Sequence, residues 1–232
     1  MKVRYLASLF LAVFLFNARA DLVLVQKIEG GGSVSQLTIK LKGDRARLEG
    51  VPQVTTIMDS KSGEMLTLMN EEKKFMRISA DKAKAFAAMA NKYAGGSERE
   101  KPKLTATGKK ETINGYETEE FVSEATSFKA RYWIARDYPH GDSIMKQLRA
   151  MTPASWTNIT KGIPDYRDFP GIPLRANMEV AGKEVTTTVV SIKEETINDT
   201  EFSPPKDFEE MKVPNIESMI DAKSSASPSV KP

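Results

Sequence analysis

Apolar and polar positions alternate with a period of two along most of the chain. Between Val34 and Lys42, the side chains of Leu37, Ile39 and Leu41 point one way. Gln36, Thr38, Lys40 and Lys42 point the other, as in a strand with one wet face. Upstream, Leu22–Ile28 opens Leu22-Val23-Leu24-Val25, apolar on both faces, and Gly30-Gly31-Gly32 turns it into the next strand. Gly43-Asp44 leads into Arg45–Glu49, which Gly50 and Pro52 end. Val54–Asp59, Glu64–Met69 and Lys74–Ile78 follow across the polar turns Ser60–Gly63 and Asn70–Lys73. Six short strands with tight polar turns predict an antiparallel meander.

The period then lengthens. Ser79 is placed to cap a helix, Asp81 sits in its first turn, and Ala83, Phe86, Met89, Ala90 and Tyr93 recur on one face. Gly95 supplies the stop, and Gly96–Lys103 is a polar loop. Alternation returns in Leu104–Lys109, Tyr116–Ser123 and Phe128–Ala135, with Asn114-Gly115 as a hairpin turn. In the last of these Phe128, Ala130, Tyr132 and Ile134 share a face and Trp133 opposes them. Asp142–Met151 predicts a short helix carrying Ile144, Met145 and Leu148, and Thr152–Pro173 an irregular loop. Leu174–Val180 and Glu184–Ile192 form a hairpin around Ala181-Gly182. The expected fold class is mainly β (α+β): one curved antiparallel sheet of about nine or ten strands, with one or two helices covering its concave face.

The ends are of another kind. Lys2 and Arg4 precede the apolar run Leu6–Phe16, and Ala18-Arg19-Ala20 offers small residues at the −3 and −1 positions of a signal-peptidase site. That run is too short to span a bilayer core about 30 Å thick. We therefore expect a signal peptide over 1–20, cleaved after Ala20, and an exported, periplasmic mature chain without a transmembrane span. The domain is expected over 21–208. A Pro- and Ser-rich tail, expected to be disordered, fills 209–232.

Composition narrows the chemistry. Of 34 Lys and Arg residues, Lys2, Arg4 and Arg19 lie in the leader, and the rest of the chain carries 31 basic against 31 acidic residues. Such neutrality argues against nucleic acid as a partner. With no cysteine and one histidine, thiolate sites, disulfides and any site needing two histidines are excluded. No nucleophile elbow, phosphate loop or His-Glu-x-x-His motif occurs, so no catalytic residue, metal site or cofactor is expected, and the chain reads as non-enzymatic. His140 stands after Pro139 in a loop without a partner motif. Glu119-Glu120 and Glu194-Glu195 diverge to opposite faces and cannot act as acid–base pairs.

Two patterns remain. Met58, Met65, Met69 and Met76 fall in three consecutive strands, where flexible thioethers either fill an irregular core or accept varied apolar partners. A thioether copper site would lack an adjacent His or Cys. Met65 and Met69 point opposite to Leu66 and Leu68, which implies cover on both sides of that strand. The basic group Lys40, Lys42, Arg45 and Arg47 flanks one hairpin. It would either meet anionic headgroups or form a solvated face that guards a sheet edge.

The order Gly43-Asp44-x-x-Arg47, Ile57-Met58-Asp59, Lys74-Phe75-Met76, Thr107-Gly108-Lys109, Ile113-Asn114-Gly115-Tyr116, Trp133-Ile134-Ala135 and Phe169–Arg175 resembles an exported bacterial family. That family is known only as a domain of unknown function, number forty-four twelve. The resemblance spans about Val23 to Pro205. It implies similarity to the Lol-type periplasmic lipoprotein carriers, a β half-barrel holding helices over a concave apolar face. Some relatives carry cysteine where this chain has Thr118, which leaves no redox role here. The expected function is binding of an apolar group, a lipid or lipoprotein acyl chain, between sheet and helices, with Met65, Met69, Met76, Phe86 and Met89 as the candidate groove. The alternative is an envelope protein-interaction or sensor module with a packed core and no ligand.

Overall fold

The computed structural model describes residues 20–93, 103–125, 128–151, 166–180 and 182–212. Twelve strands form one sheet: β1 (Leu22–Gly30), β2 (Ser33–Lys42), β3 (Arg45–Val51), β4 (Val54–Asp59), β5 (Met65–Met69), β6 (Lys74–Ile78), β7 (Lys103–Ile113), β8 (Tyr116–Ala125), β9 (Phe128–Ala135), β10 (Ile172–Val180), β11 (Lys183–Glu194) and β12 (Glu209–Met211). Their order across the sheet is β12-β6-β5-β4-β3-β2-β1-β11-β10-β9-β8-β7. The described residues are mostly strand, in one open, curved sheet with two α-helices, α1 (Ala80–Tyr93) and α2 (Gly141–Ala150).

The meander forms as its alternation predicts, and β1 joins the two halves by pairing with β2 on one side and β11 on the other. Three features differ from the sequence reading. The sheet has twelve strands, not nine or ten, and β12 runs parallel to β6. Glu209–Met211, expected to open the tail, thus caps an edge. β7 also runs on to Ile113, past the expected Lys109, through an irregularity between Ala106 and Lys110.

β1 shows why its double apolar character matters. Leu22 and Leu24 enter the main core, on what we call the inner face, whereas Val23 enters a second core on the outer face. The main core gathers Leu41, Ala46, Phe121, Tyr132, Ile134, Ile172 and Leu174, and α2 lays Ile144, Met145 and Leu148 on it. The second core holds Ile57, Leu66, Leu68 and Phe75 beneath Ile197, Phe202 and Phe208 of the C-terminal segment. Burying each such side chain is worth roughly 1.5–3 kcal/mol.

Ser79 caps α1 as its position predicts: its Oγ accepts from the Lys82 N–H at 3.4 Å, and its carbonyl accepts from Ala83 N. Ala83 is buried. The side chains of Phe86, Met89, Ala90 and Tyr93 lie outside the described residues, as do Gly95 and residues 1–19 of the leader. At α2 the cap is His140, in the left-handed conformation at φ 54°, with no side-chain capping bond.

Close backbone approach fixes the entry to β10. A Cβ on Gly171 would stand 2.3 Å from the Ala135 carbonyl oxygen, so only glycine fits there. Next to it Ile172 pairs with Ala135, and the Arg175 guanidinium lies 5.5 Å over the Trp133 ring.

Candidate functional site

The structure brings the three β-strand methionines of the expected groove to one face. Met58, Met65 and Ile78 form one cross-strand row, Thr56, Thr67 and Met76 the next, and Val54, Met69 and Lys74 the third. These rows continue from Leu22, Leu41 and Ala46, so all are on the inner face. Met65, Met69 and Met76 are each half-buried. Leu66 and Leu68 point outward and are covered by the second core, which accounts for the far side of that strand. Phe86 and Met89 belong to α1, but their side chains lie outside the described residues.

The basic group has a role the sequence reading did not give it. β2 and β3 are interior strands, not an edge, and their cations pair with carboxylates. Lys40 Nζ contacts Glu201 at 3.0 Å and Glu49 at 3.5 Å; Lys42 Nζ contacts Asp21 at 3.5 Å and Asp199 at 3.6 Å. Arg45 pairs with Asp199 and stacks over Phe202, and Arg47 donates to the Glu201 carbonyl at 2.8 Å. Together they fasten the C-terminal segment over the second core. His140 is exposed, with Nδ1 3.3 Å from Glu194 Oε1. Glu119 and Glu120 do diverge: Glu119 meets Arg136, and buried Glu120 accepts from Thr107 Oγ1 at 2.9 Å. Among the described residues no group of His, Asp or Glu is placed to hold a metal ion.

An apolar cavity of about 220 Å³ lies elsewhere on the inner face, lined by Gln26, Tyr132, Tyr166, Phe169, Pro173, Leu174, Ala176, Met178, Thr187 and Val189. Strand alternation builds its floor. Tyr132, Ala176 and Thr187 lie in one row, and Val189 faces Gln26 in the next. Tyr166 and Phe169 flank it in and after a short 3₁₀ helix, Tyr166–Asp168, which Arg149 of α2 holds by donating to the Tyr166 carbonyl at 3.2 Å and the Phe169 carbonyl at 3.3 Å. The Phe169 ring meets Tyr132 edge-on, with centroids 5.0 Å apart. Burial, with Tyr166 beside it, pushes the Tyr132 phenol above its ordinary pKa, and burial alone does so at Tyr166. Two roomier depressions, of about 370 and 430 Å³, are lined largely by charged and polar side chains.

The cavity is not the methionine groove. From β11 to β5 is five strand spacings, or about 24 Å along the sheet at 4.7–4.9 Å each. Sequence reasoning placed Tyr132 on one face with Ala130 and Ile134 but missed Tyr166, Phe169 and Met178, which come more than thirty residues later in the chain. The signal available was the aromatic pair Tyr166 and Phe169, beside Pro170-Gly171.

Fold and cavity together define an open curved β-sheet protein with an apolar hollow on its inner face. The chain belongs to a family described as a domain of unknown function, DUF4412, which matches residues 22–208. Among curated proteins, none matches it. Of solved structures, it is similar to PNGF-II at 12% identity and TM-score 0.43, over 87% of this chain and 32% of that one. It is also similar to the Pseudomonas aeruginosa MucA/MucB complex at 10% identity and TM-score 0.43, over 81% and 56%. A third is the Mycobacterium tuberculosis lipoprotein LppX, at 13% identity and TM-score 0.34, over 76% and 88%. The chain thus spans about a third of PNGF-II and little more than half of the matched chain of the MucA/MucB complex.

Proposed function

We propose that this is an exported, non-enzymatic binding protein that holds an apolar group, a lipid or lipoprotein acyl chain, against the inner face of its sheet. The reading rests on the 220 Å³ cavity, whose lining is mostly apolar and aromatic. The half-buried Met65, Met69 and Met76 extend the same apolar face, and α1 carries Phe86 and Met89 as their proposed cover.

Uptake of a fluorescent acyl probe tests this in three proteins. The parent should bind it. Ala176→Phe, which fills the cavity, should abolish uptake while the protein still melts cooperatively. Met69→Trp should lower uptake only if the chain reaches from the cavity into the groove. In a groove vacant without ligand, Met69→Ala should cost well under the ~2–5 kcal/mol expected of a packed core. A parent that never binds probe would sink the carrier reading and leave the interaction module in its place.

A further inference from the structure

One feature of the cavity is unexplained by an apolar ligand alone. Tyr132 is 5% exposed, yet among the described residues its hydroxyl has no hydrogen-bond partner. Native proteins leave few buried hydroxyls unpaired, because the water they lose is not replaced. The ring is held in place by Phe169 at its edge and by the pairing of β9 with Phe121 on one side and Ala176 on the other. A phenol is protonated throughout the neutral range, and burial pushes its pKa further up, so it offers a donor there.

The rest of the lining limits what can accept from it. Among the described residues, Gln26 and Thr187 are the other polar side chains besides Tyr166, and no Lys, Arg, His, Asp or Glu lines the cavity. A carboxylate placed here would lose its water with no cation to meet it. The volume of 220 Å³, set against about 150 Å³ for a cavity that takes benzene, accommodates roughly nine heavy atoms.

We propose that the cavity takes a neutral molecule whose apolar chain or ring carries one carbonyl oxygen, of an ester or a ketone, and that this oxygen accepts a hydrogen bond from the Tyr132 hydroxyl. The proposal rests on the apolar-binding reading and adds to it the chemistry of the buried end.

Three probes of equal size test it by ligand-observed NMR titration: the eight-carbon methyl ketone, the alkene in which a methylene replaces its oxygen, and the seven-carbon carboxylate heptanoate. The parent should bind the ketone about three- to tenfold more tightly than the alkene, the effect of one net hydrogen bond. Tyr132→Phe should lose that preference, keep its affinity for the alkene, and melt no lower than the parent. Heptanoate should bind more weakly than the ketone. Equal binding of ketone and alkene by the parent would overturn the carbonyl assignment and leave the apolar-binding reading standing. A preference retained in Tyr132→Phe would do the same. Heptanoate binding tighter than the ketone would overturn the neutral-ligand claim. If the folded parent binds none of the three, both readings fail. The ketone-to-alkene ratio of the parent decides the matter even if the variant does not fold.

Discussion

Glu201 shows how single residues tie the two ends of the chain together. Its carboxylate accepts from Lys40, and that bond holds its pKa below the ordinary 4.5. Arg45 does the same for Asp199, and Lys73 for Asp207, both below the ordinary 3.8. All three pKa values are depressed in the folded state. Their contribution is therefore complete above the ordinary carboxyl values and is lost as pH falls through the folded ones. We expect amide protection over residues 197–211 to fail first as pH drops below about 4, before that of β9 and β10, and to fail earlier in Lys40→Gln. Hydrogen exchange across a pH series measures this. Surface pairs of this kind are individually weak and screened by ions, so the release should be graded and hastened by salt. An order of release independent of pH would contradict it.

Among the elements, the short 3₁₀ helix Asp199–Phe202 carries more of the fold than its length suggests. Asn198 caps it by accepting from Thr200 N at 3.0 Å, and Phe202 is buried against the second core. Phe202→Ala should cost about 3–5 kcal/mol in urea unfolding, near the usual cost of removing a core aromatic. A loss under 1 kcal/mol would mean that Leu66 and Leu68 gain nothing from this cover. The strands that alternate and the helix carrying Ile144, Met145 and Leu148 were legible in the sequence, because side-chain period is a local property. β12 was not. Glu209-Glu210-Met211 has no strand pattern; its pairing with β6 follows from Phe208 in the second core and from Arg77 Nε meeting Glu210 at 3.2 Å. The cavity was hidden for the same reason, since Gln26, Tyr132, Phe169 and Val189 meet only once β1, β9, β10 and β11 pair. The motifs behind the family resemblance are legible in hindsight as joints: Gly171 against Ala135, and Asn114 donating to the Val189 carbonyl.

For the whole molecule, the leader and the sheet make separate demands. If residues 1–20 are removed as their pattern predicts, N-terminal sequencing of the exported protein should begin at Asp21. Retention of Met1 in a membrane fraction would refute it. Asp21 already has a place in the fold, accepting from Ile197 N at 2.9 Å and facing Lys42. That contact joins residues 176 apart, and Lys40 and Glu201 are 161 apart. Such spans set a timetable. At about 5–20 residues per second of synthesis, the first strands wait roughly 8–30 s for the segment that seals their outer face. Through that interval Leu66, Leu68 and Phe75 have no cover, and the edge of β6 stands open to other chains. The N-terminal half cannot finish folding ahead of residues 197–211, so the nascent chain stays loose, and stays vulnerable, until that segment has been made.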